Sequence, residues 1–240
     1  KMEPPRPPTE PERLAALRAY EVMDSEPEEA FDDLVQIASE VCDAPIALIT
    51  LLDEERQWFK ARIGMESTET PREHAFCAHA IVEEEPLIVP DARADDRFRD
   101  NLLVTEDPKI RFYAGAPLRT PDGHGLGTLC VIDTAPRTDG AALTPPQLRV
   151  LEGLSRQAVR LLEHRKVSAL LARALERVRV LAPLVPICAW CKKIRDDEAF
   201  WTSIGAYLEK HAGVQATHGI CPECIDDLES DLAPGDLAPV

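Results

Sequence analysis

No stretch of this 240-residue chain approaches the roughly 18 consecutive apolar residues that a bilayer-spanning helix needs, so no membrane span is expected. Positive charge is short as well: 27 Lys and Arg stand against 43 Asp and Glu, a net charge of −16. A surface carrying its share of that charge repels phosphate backbones, which argues against nucleic acid as a partner. The start, Lys1-Met2-Glu3-Pro4-Pro5, lacks the charged-then-apolar layout of a secretory signal. That predicts a cytoplasmic location, where thiolates favour metal over disulfides. No kinase, cyclase or DNA-binding signature occurs in these residues, so any output is expected to be borrowed. With 45% hydrophobic and 29% charged residues the composition is that of a soluble globular chain, sized for one ordinary domain and a small one.

Against these absences stand two Cys-x-x-Cys pairs, Cys188-Ala-Trp-Cys191 and Cys221-Pro-Glu-Cys224, with 29 residues between them. Two residues between cysteines is the spacing at which one tight turn aims both sulfurs at one ion, and two such turns complete a tetrahedron that Zn2+ accepts. Two disulfides or a redox couple would use the same residues and stay open as alternatives. Four sulfurs fill a structural site and leave no position for water, which disfavours metal catalysis. His218, three residues before Cys221, is an alternative ligand or a neighbour that orients one. Four thiolates with Zn2+ carry a net charge of −2, and Lys192, Lys193 and Arg195 follow the first pair directly. So short a module cannot build much core, whereas zinc binding to such peptides is worth on the order of 10 to 16 kcal/mol. Trp190, Phe200, Trp201, Ile204, Tyr207 and Leu208 are the residues available for its small apolar interior.

Patterning divides the rest. Residues 1–10 are rich in proline and read as a disordered arm. Leu14, Ala15 and Leu17, then Phe31, Leu34, Ile37, Ala38 and Val41, recur at helical spacing on either side of Asp24-Ser25-Glu26-Pro27. Ile46 to Leu52 is too short for a free-standing helix and rich in β-branched residues, which predicts a buried strand. After a turn at Asp53-Glu54-Glu55-Arg56, Gln57 to Ile63 alternates partially, as a strand with one wet face does. Ala75 to Val82 reads as helix and Leu87-Ile88-Val89 as a short strand. Phe112 to Leu118 and Gly125 to Ile132 flank Thr120-Pro121-Asp122-Gly123, a hairpin turn. One α+β domain over residues 11–140 follows, large enough to bury about two-thirds of its unfolded surface.

Thr144-Pro145-Pro146-Gln147 announces a long helix, because Thr caps, Pro suits the first turn and Gln completes a capping box. Leu151, Leu154, Ala158 and Leu162, then Val167, Leu171, Ala174, Val178 and Leu181, give two stretches of three-and-four spacing with a phase break near His164-Arg165-Lys166. This predicts a stalk over 141–182 that pairs with a second copy through the 145–181 helix; the plain alternative is a helix lying on its own domain. The cysteine module then occupies 183–232, and residues 233–240, with Pro234, Gly235 and Pro239, read as a disordered tail.

Several segments resemble a bacterial branch of the GAF sensory domains. They are Phe31-Asp32-Asp33-Leu34, Pro45-Ile46-Ala47-Leu48-Ile49, Asp53 to Lys60, Thr70-Pro71-Arg72-Glu73, Phe76-Cys77-Ala78-His79-Ala80-Ile81, Phe112 to Leu118 and Leu126 to Asp133. The likeness covers about residues 11–160. The cysteine-rich segment is similar to a tail on some bacterial signalling proteins that carry GAF or receiver domains, with a zinc-ribbon or treble-clef-like module expected. The GAF resemblance implies an antiparallel sheet of about six strands, helices on one face, a ligand cavity on the other, and signalling through helices that continue into a dimer toward a signalling partner. It implies an unknown small-molecule ligand, for which Phe76, Cys77, His79, Phe98, Phe112 and Tyr113 are the pocket candidates. The Asn-Lys-Phe-Asp-Glu signature of cyclic-nucleotide-binding members is absent, as is the usual bilin-attachment context. Free methionine sulfoxide reductases share the GAF-like fold, and an enzyme of that type acting through Cys77 or Cys130 is a rival to a non-enzymatic sensor, as is a switch in which oxidation of the paired cysteines releases zinc.

Overall fold

A computed structural model of the chain describes residues 4–138, 140, 142–181, 186–195, 201–213, 215, 217 and 219–225. His218, Phe200 and the tail 233–240 lie outside the described residues, as does part of the arm read over 1–10 and of the module read over 183–232. The elements are α1 (Glu10–Ala19), α2 (Glu29–Cys42), β1 (Ile46–Leu52), β2 (Arg56–Ile63), β3 (Glu69–Pro71), a 3-10 turn (Arg72–His74), α3 (Cys77–Ala80), β4 (Leu87–Val89), α4 (Leu102–Thr105), β5 (Phe112–Arg119), β6 (Gly125–Asp133) and α5 (Pro145–Leu181). After them come β7 (Ile194–Arg195), β8 (Trp201–Thr202) and α6 (Ile204–Ala212). The chain divides into two compact units, Lys1–Arg173 and Ala174–Val240.

The first unit is built on a six-stranded antiparallel sheet in the order β3-β2-β1-β6-β5-β4. Every residue of β1 is buried, because this central strand is covered on both faces. Its two-residue period sorts the side chains: Ala47, Ile49 and Leu51 enter one core, Ile46, Leu48 and Leu52 the other. The first core holds the buried stripes of α2 and α5; the second lies beneath α3 and α4. Three-residue β3 is too short for its alternation to show in the sequence.

The helices follow their periodicity with shifts of face that have physical causes. In α2 the buried stripe is Phe31, Leu34, Val35, Ala38 and Cys42, while Ile37 and Val41, expected inside, are 43% and 39% exposed. The apolar arc of this helix is wider than the strip the sheet can cover, so one side of it stays wet. In α1, Leu14 and Leu17 are buried but Ala15 is exposed, and Arg13 is buried in its place. Arg13 can enter because its charge is met: Nε and Nη2 donate to Glu10 at 2.8 and 2.7 Å, and Nη1 donates to the Leu52 carbonyl at 2.8 Å.

Helix α5 starts as its capping box predicts, with the Thr144 amide donating to Gln147 Oε1 at 2.9 Å and the Gln147 amide reaching Thr144 Oγ1 at 3.5 Å. It ends at Leu181, as the spacing predicts. The first stretch of the seam does not wait for a second copy: Leu151, Ala158 and Leu162 are fully buried in the domain's own core. Along the second stretch, Val167, Leu170, Leu171 and Leu175 are exposed. No helix among the described residues is long and apolar enough to cross a membrane.

In the second unit β7 and β8 form a two-stranded hairpin and α6 follows, capped by Ser203. Among its described residues Ile194 alone is buried. Trp190 is 94% exposed, and Trp201 and Ile204 also face solvent. The aromatic interior expected from these residues is not formed among the described ones, because a two-stranded hairpin and one helix offer no second layer to cover them.

Candidate functional site

Below α3 the second core contains a cavity of about 20 Å3, walled by Leu48, Phe59, Met65, Phe76, Leu103, Ile110 and Ile132 and carrying four polar groups from Gln57, Thr70, Cys77 and Tyr113. Strand register puts the floor in place. Phe59 pairs with Thr50 and Ala61 with Ile49, so Lys60 is an extra residue in β2, a bulge that turns Phe59 toward the cavity side. The roof is the 3-10 turn and α3. Asn101 ties it to the α4 wall, since its Oδ1 accepts from the Leu103 amide at 2.9 Å while its Nδ2 donates to the His74 carbonyl at 3.0 Å.

Five of the six residues expected to form the pocket meet on this face. Phe76 stacks on Phe98 with ring centroids 4.0 Å apart, Tyr113 lies 5.2 Å from Phe76, and His79 meets the edge of Phe98 at 4.9 Å. Phe76, Cys77 and Tyr113 line the cavity, and Phe98 and His79 back them. Phe112, one residue from Tyr113 on a pleated strand, belongs to the opposite core, where Arg137 sits 4.3 Å over its ring. Burial holds His79 near a pKa of about 4, Arg97 nearby adding to the effect and Asp95 opposing it, so the ring is neutral at pH 7.

Gln57 and Thr70 were not legible as site residues. Gln57 sits on a strand that reads as half-wet, where a polar residue is ordinary, and Thr70 on a three-residue strand that the sequence does not show; only the third dimension turns them inward. Gln57 Oε1 and Thr70 Oγ1 are buried without a hydrogen-bond partner. Unmet acceptors of this kind cost about 1 to 3 kcal/mol each, and facing a cavity they are what a ligand or water would satisfy.

Cys77 is the chemical centre of the site. Its sulfur accepts from Thr128 Oγ1 at 2.9 Å and from Tyr113 Oη at 3.3 Å, and Thr50 Oγ1 lies 3.2 Å behind Thr128 Oγ1. Burial alone raises a thiol's pKa, but here hydrogen bonds from Cys130, Thr128, Thr50 and Tyr113 outweigh it and hold Cys77 below its ordinary value. Cys130 and Tyr113 are raised, first by burial and then by their interactions with Cys77. The same surroundings therefore favour a thiolate on one sulfur and keep its neighbours protonated.

The paired cysteines of the second unit sit in two local turns. Cys188 donates its amide to the Lys193 carbonyl at 2.8 Å, and the Cys191 amide points back at Cys188 Sγ at 3.5 Å, with Lys192 in the left-handed region at φ 59°. The Ile225 amide bonds the Cys221 carbonyl at 3.1 Å, closing a helical turn around the second pair. Backbone amides of Cys191 and Trp190 lower the Cys188 pKa, and that of Cys224 lowers the Cys221 pKa. This is donor chemistry suited to a thiophilic cation. Among the described residues, however, no three Cys, His, Asp or Glu side chains gather at one point as a metal site would have them.

The GAF domain profile matches residues 26–162. A cyclic di-GMP phosphodiesterase of Pseudomonas aeruginosa is 46% identical over 134 residues, a stretch that is 56% of this chain and 23% of that protein. The chain thus spans less than a quarter of that curated relative. Among solved structures, the blue-light absorbing form of the PixJ GAF domain of Thermosynechococcus elongatus aligns with a TM-score of 0.50 at 14% identity, covering 68% of this chain and 96% of that one. The GAF domain of an Acinetobacter phosphoenolpyruvate-protein phosphotransferase aligns at 0.47 and 18%, covering 66% and 97%. The sheet, the two cores and a profile match over more than half the residues agree, and the chain belongs to the GAF domain family.

Proposed function

We propose that the chain is a signal-sensing regulatory protein whose GAF domain takes up a small molecule on the α3 face and passes the result along α5 to a small zinc-stabilised module that meets a protein partner. The single observation that carries the sensing reading is the small cavity with two unmet acceptors, Gln57 Oε1 and Thr70 Oγ1, on its wall. A space of about 20 Å3 admits one water-sized molecule. A larger ligand would displace Met65 and Leu103, the two partly buried side chains at the edge of this core, and that displacement is the conformational event a sensor requires. The relative from P. aeruginosa bears the name of a phosphodiesterase; the shared stretch is 23% of it, and the role proposed for that stretch is sensing and not hydrolysis. Dimerisation, if α5 mediates it, uses the exposed Val167, Leu170, Leu171 and Leu175 stripe, since the earlier apolar positions are already covered.

Two measurements test this. Saturation-transfer NMR of the full chain against a panel of water-soluble metabolites should return binders, and Gln57→Leu, which keeps volume but removes the acceptor, should abolish them. An empty screen, or binders indifferent to Gln57→Leu, would sink the reading that the cavity takes up a metabolite. Elemental analysis should find about one zinc per chain, as four thiolates require, and none in Cys224→Ser; a metal-free wild-type protein overturns the zinc module while leaving the cavity untouched.

A further inference from the structure

Two of the seven cysteines, Cys77 and Cys130, are buried in the interior of the GAF domain, in a different compact unit from the Cys-x-x-Cys pairs, and the sensing role makes no use of their chemistry. Cys77 comes from α3 and Cys130 from β6, elements that pack directly on each other, and both are buried in the same core. Thr128, two residues before Cys130 on β6 and so on the same face of the strand, donates to Cys77 Sγ. Hydroxyls of Thr128 and Tyr113 point at the same sulfur at 2.9 and 3.3 Å. Cys77 also forms part of the cavity wall, together with two oxygens, Gln57 Oε1 and Thr70 Oγ1, that have no hydrogen-bond partner. We propose that Cys77 and Cys130 are a peroxide-reactive dithiol, and that the molecule received by the cavity is hydrogen peroxide.

The chemistry of each part fits that ligand. Hydrogen peroxide is little larger than water and carries two O–H donors, matching Gln57 Oε1 and Thr70 Oγ1 as acceptors. The Cys77 thiolate attacks one peroxide oxygen, an S–O bond forms as the O–O bond breaks, and the departing hydroxide takes up the proton that Cys77 released, giving sulfenic acid and water. Cys130 then attacks the sulfenic sulfur, an S–S bond forms, the S–O bond breaks, and the hydroxyl leaves with the Cys130 proton as a second water. Two thiols are oxidised to one disulfide and one peroxide is reduced to two waters. Burial protects Cys77 from bulkier oxidants, and the hydroxyls of Thr128 and Tyr113 supply the thiolate character that burial alone would suppress. Cys42 is a control built into the same domain: equally buried, its pKa is raised by burial with only Arg137 opposing, and it does not line the cavity.

This inference rests on the cavity being the sensory site, and the test separates the two. Full-length protein is treated with hydrogen peroxide, quenched by alkylation at intervals and mapped by non-reducing peptide mass spectrometry, which resolves every cysteine individually. A linked Cys77–Cys130 peptide that dithiothreitol reverses is expected, forming well before Cys42 is modified. Cys130→Ser should stop at a sulfenic acid on Cys77 that dimedone traps, and Thr128→Val should slow oxidation of Cys77 on the order of tenfold at pH 7, the effect of about one pKa unit of lost thiolate stabilisation. Equal rates at Cys77 and Cys42 in the wild-type protein, or no linked peptide at peroxide concentrations that oxidise the exposed Cys191, overturn the proposal without recourse to any variant. Metabolites that bind while Cys77 stays reduced and unreactive refute the dithiol alone; a dithiol that forms in a cavity no metabolite enters refutes only the wider ligand.

Discussion

Glu10→Gln isolates the charge at the centre of the most buried ionic cluster in the fold. The Glu10 carboxylate receives Arg13 at 2.7 and 2.8 Å and Arg72 at 2.5 Å, and the arginine side chains are 1% and 5% exposed. Burial by itself raises the carboxyl pKa, but the hydrogen bonds from Arg13 and Arg72 outweigh it and bring it to about 2 from 4.5. A shift of that size corresponds to about 3 kcal/mol, and about 2 after allowance for solvent screening. The amide keeps the volume and one acceptor yet leaves two buried guanidinium groups without a counter-ion, an arrangement that costs more than losing the pair. The expected loss is therefore about 2 to 3 kcal/mol at pH 7, read as a fall of roughly 1 to 1.5 M in the urea midpoint for a slope near 2 kcal/mol per M. The sign with pH follows from the depressed folded value: the contribution is complete above the unfolded pKa of 4.5 and is lost as pH falls toward 2. The gap between wild type and Glu10→Gln should close over that window, even while other carboxylates titrate in both proteins. A gap under 1 kcal/mol at pH 7, or one that stays constant down to pH 2.5, refutes the assignment of that stability to the Glu10 charge.

Gly127→Ala should cost more than 4 kcal/mol or prevent folding, because its Cβ would sit 1.8 Å from the Thr50 carbonyl oxygen in the centre of the sheet, where neither backbone can yield. Gly123→Ala, which meets nothing within 4 Å but has φ of +87°, should cost about 1 kcal/mol for its backbone alone; equal melting temperatures for the two variants would contradict the packing argument. Leu171→Glu lies on an exposed position of α5, so at protein concentrations low enough for monomer it should leave the unfolding free energy within about 0.5 kcal/mol of wild type. Light scattering should nevertheless show it shifted from dimer to monomer, and a wild-type protein that is monomeric at high concentration removes the stalk as a dimer contact.

The parts of this fold that could be read from the sequence are those whose signal is local. A capping box at Thr144 and Gln147 fixes the start of α5 through atoms three residues apart, and Pro121 with Gly123 fixes the hairpin turn in the same way. Burial side was harder, because it depends on what arrives from elsewhere in the chain. Arg13 reads as solvated until Glu10 and the carbonyls of Leu52 and Gly125 are known to surround it. Leu151, Ala158 and Leu162 have the spacing of a dimer seam, and the spacing cannot say whether the apolar strip meets a second helix or its own sheet. At the cavity the aromatic and cysteine residues were visible by type, whereas Gln57 and Thr70 were not, since a buried acceptor and a wet one look alike in one dimension.

The same bulge that turns Phe59 to the cavity also turns Lys60 to the other side of the sheet, and this links the site to the helix. Lys60 is fully buried; its Nζ donates to Ser25 Oγ at 2.9 Å, the Glu26 carbonyl at 2.8 Å and Glu28 Oε1 at 2.6 Å. Glu28 also receives Arg165 of α5, and nearby Tyr20 donates to Glu163 while Lys166 lies 4.8 Å over the Tyr20 ring. Arg173 then pairs with Glu21. These contacts hold α5 at residues 163–173, the stretch in which its apolar positions pass from buried to exposed. Phe59 and Lys60 are adjacent on β2, so a ligand that displaced Phe59 would strain the three hydrogen bonds of the Lys60 ammonium. Adjacent residues on one strand and one shared carboxylate, Glu28, thus connect the cavity wall to α5.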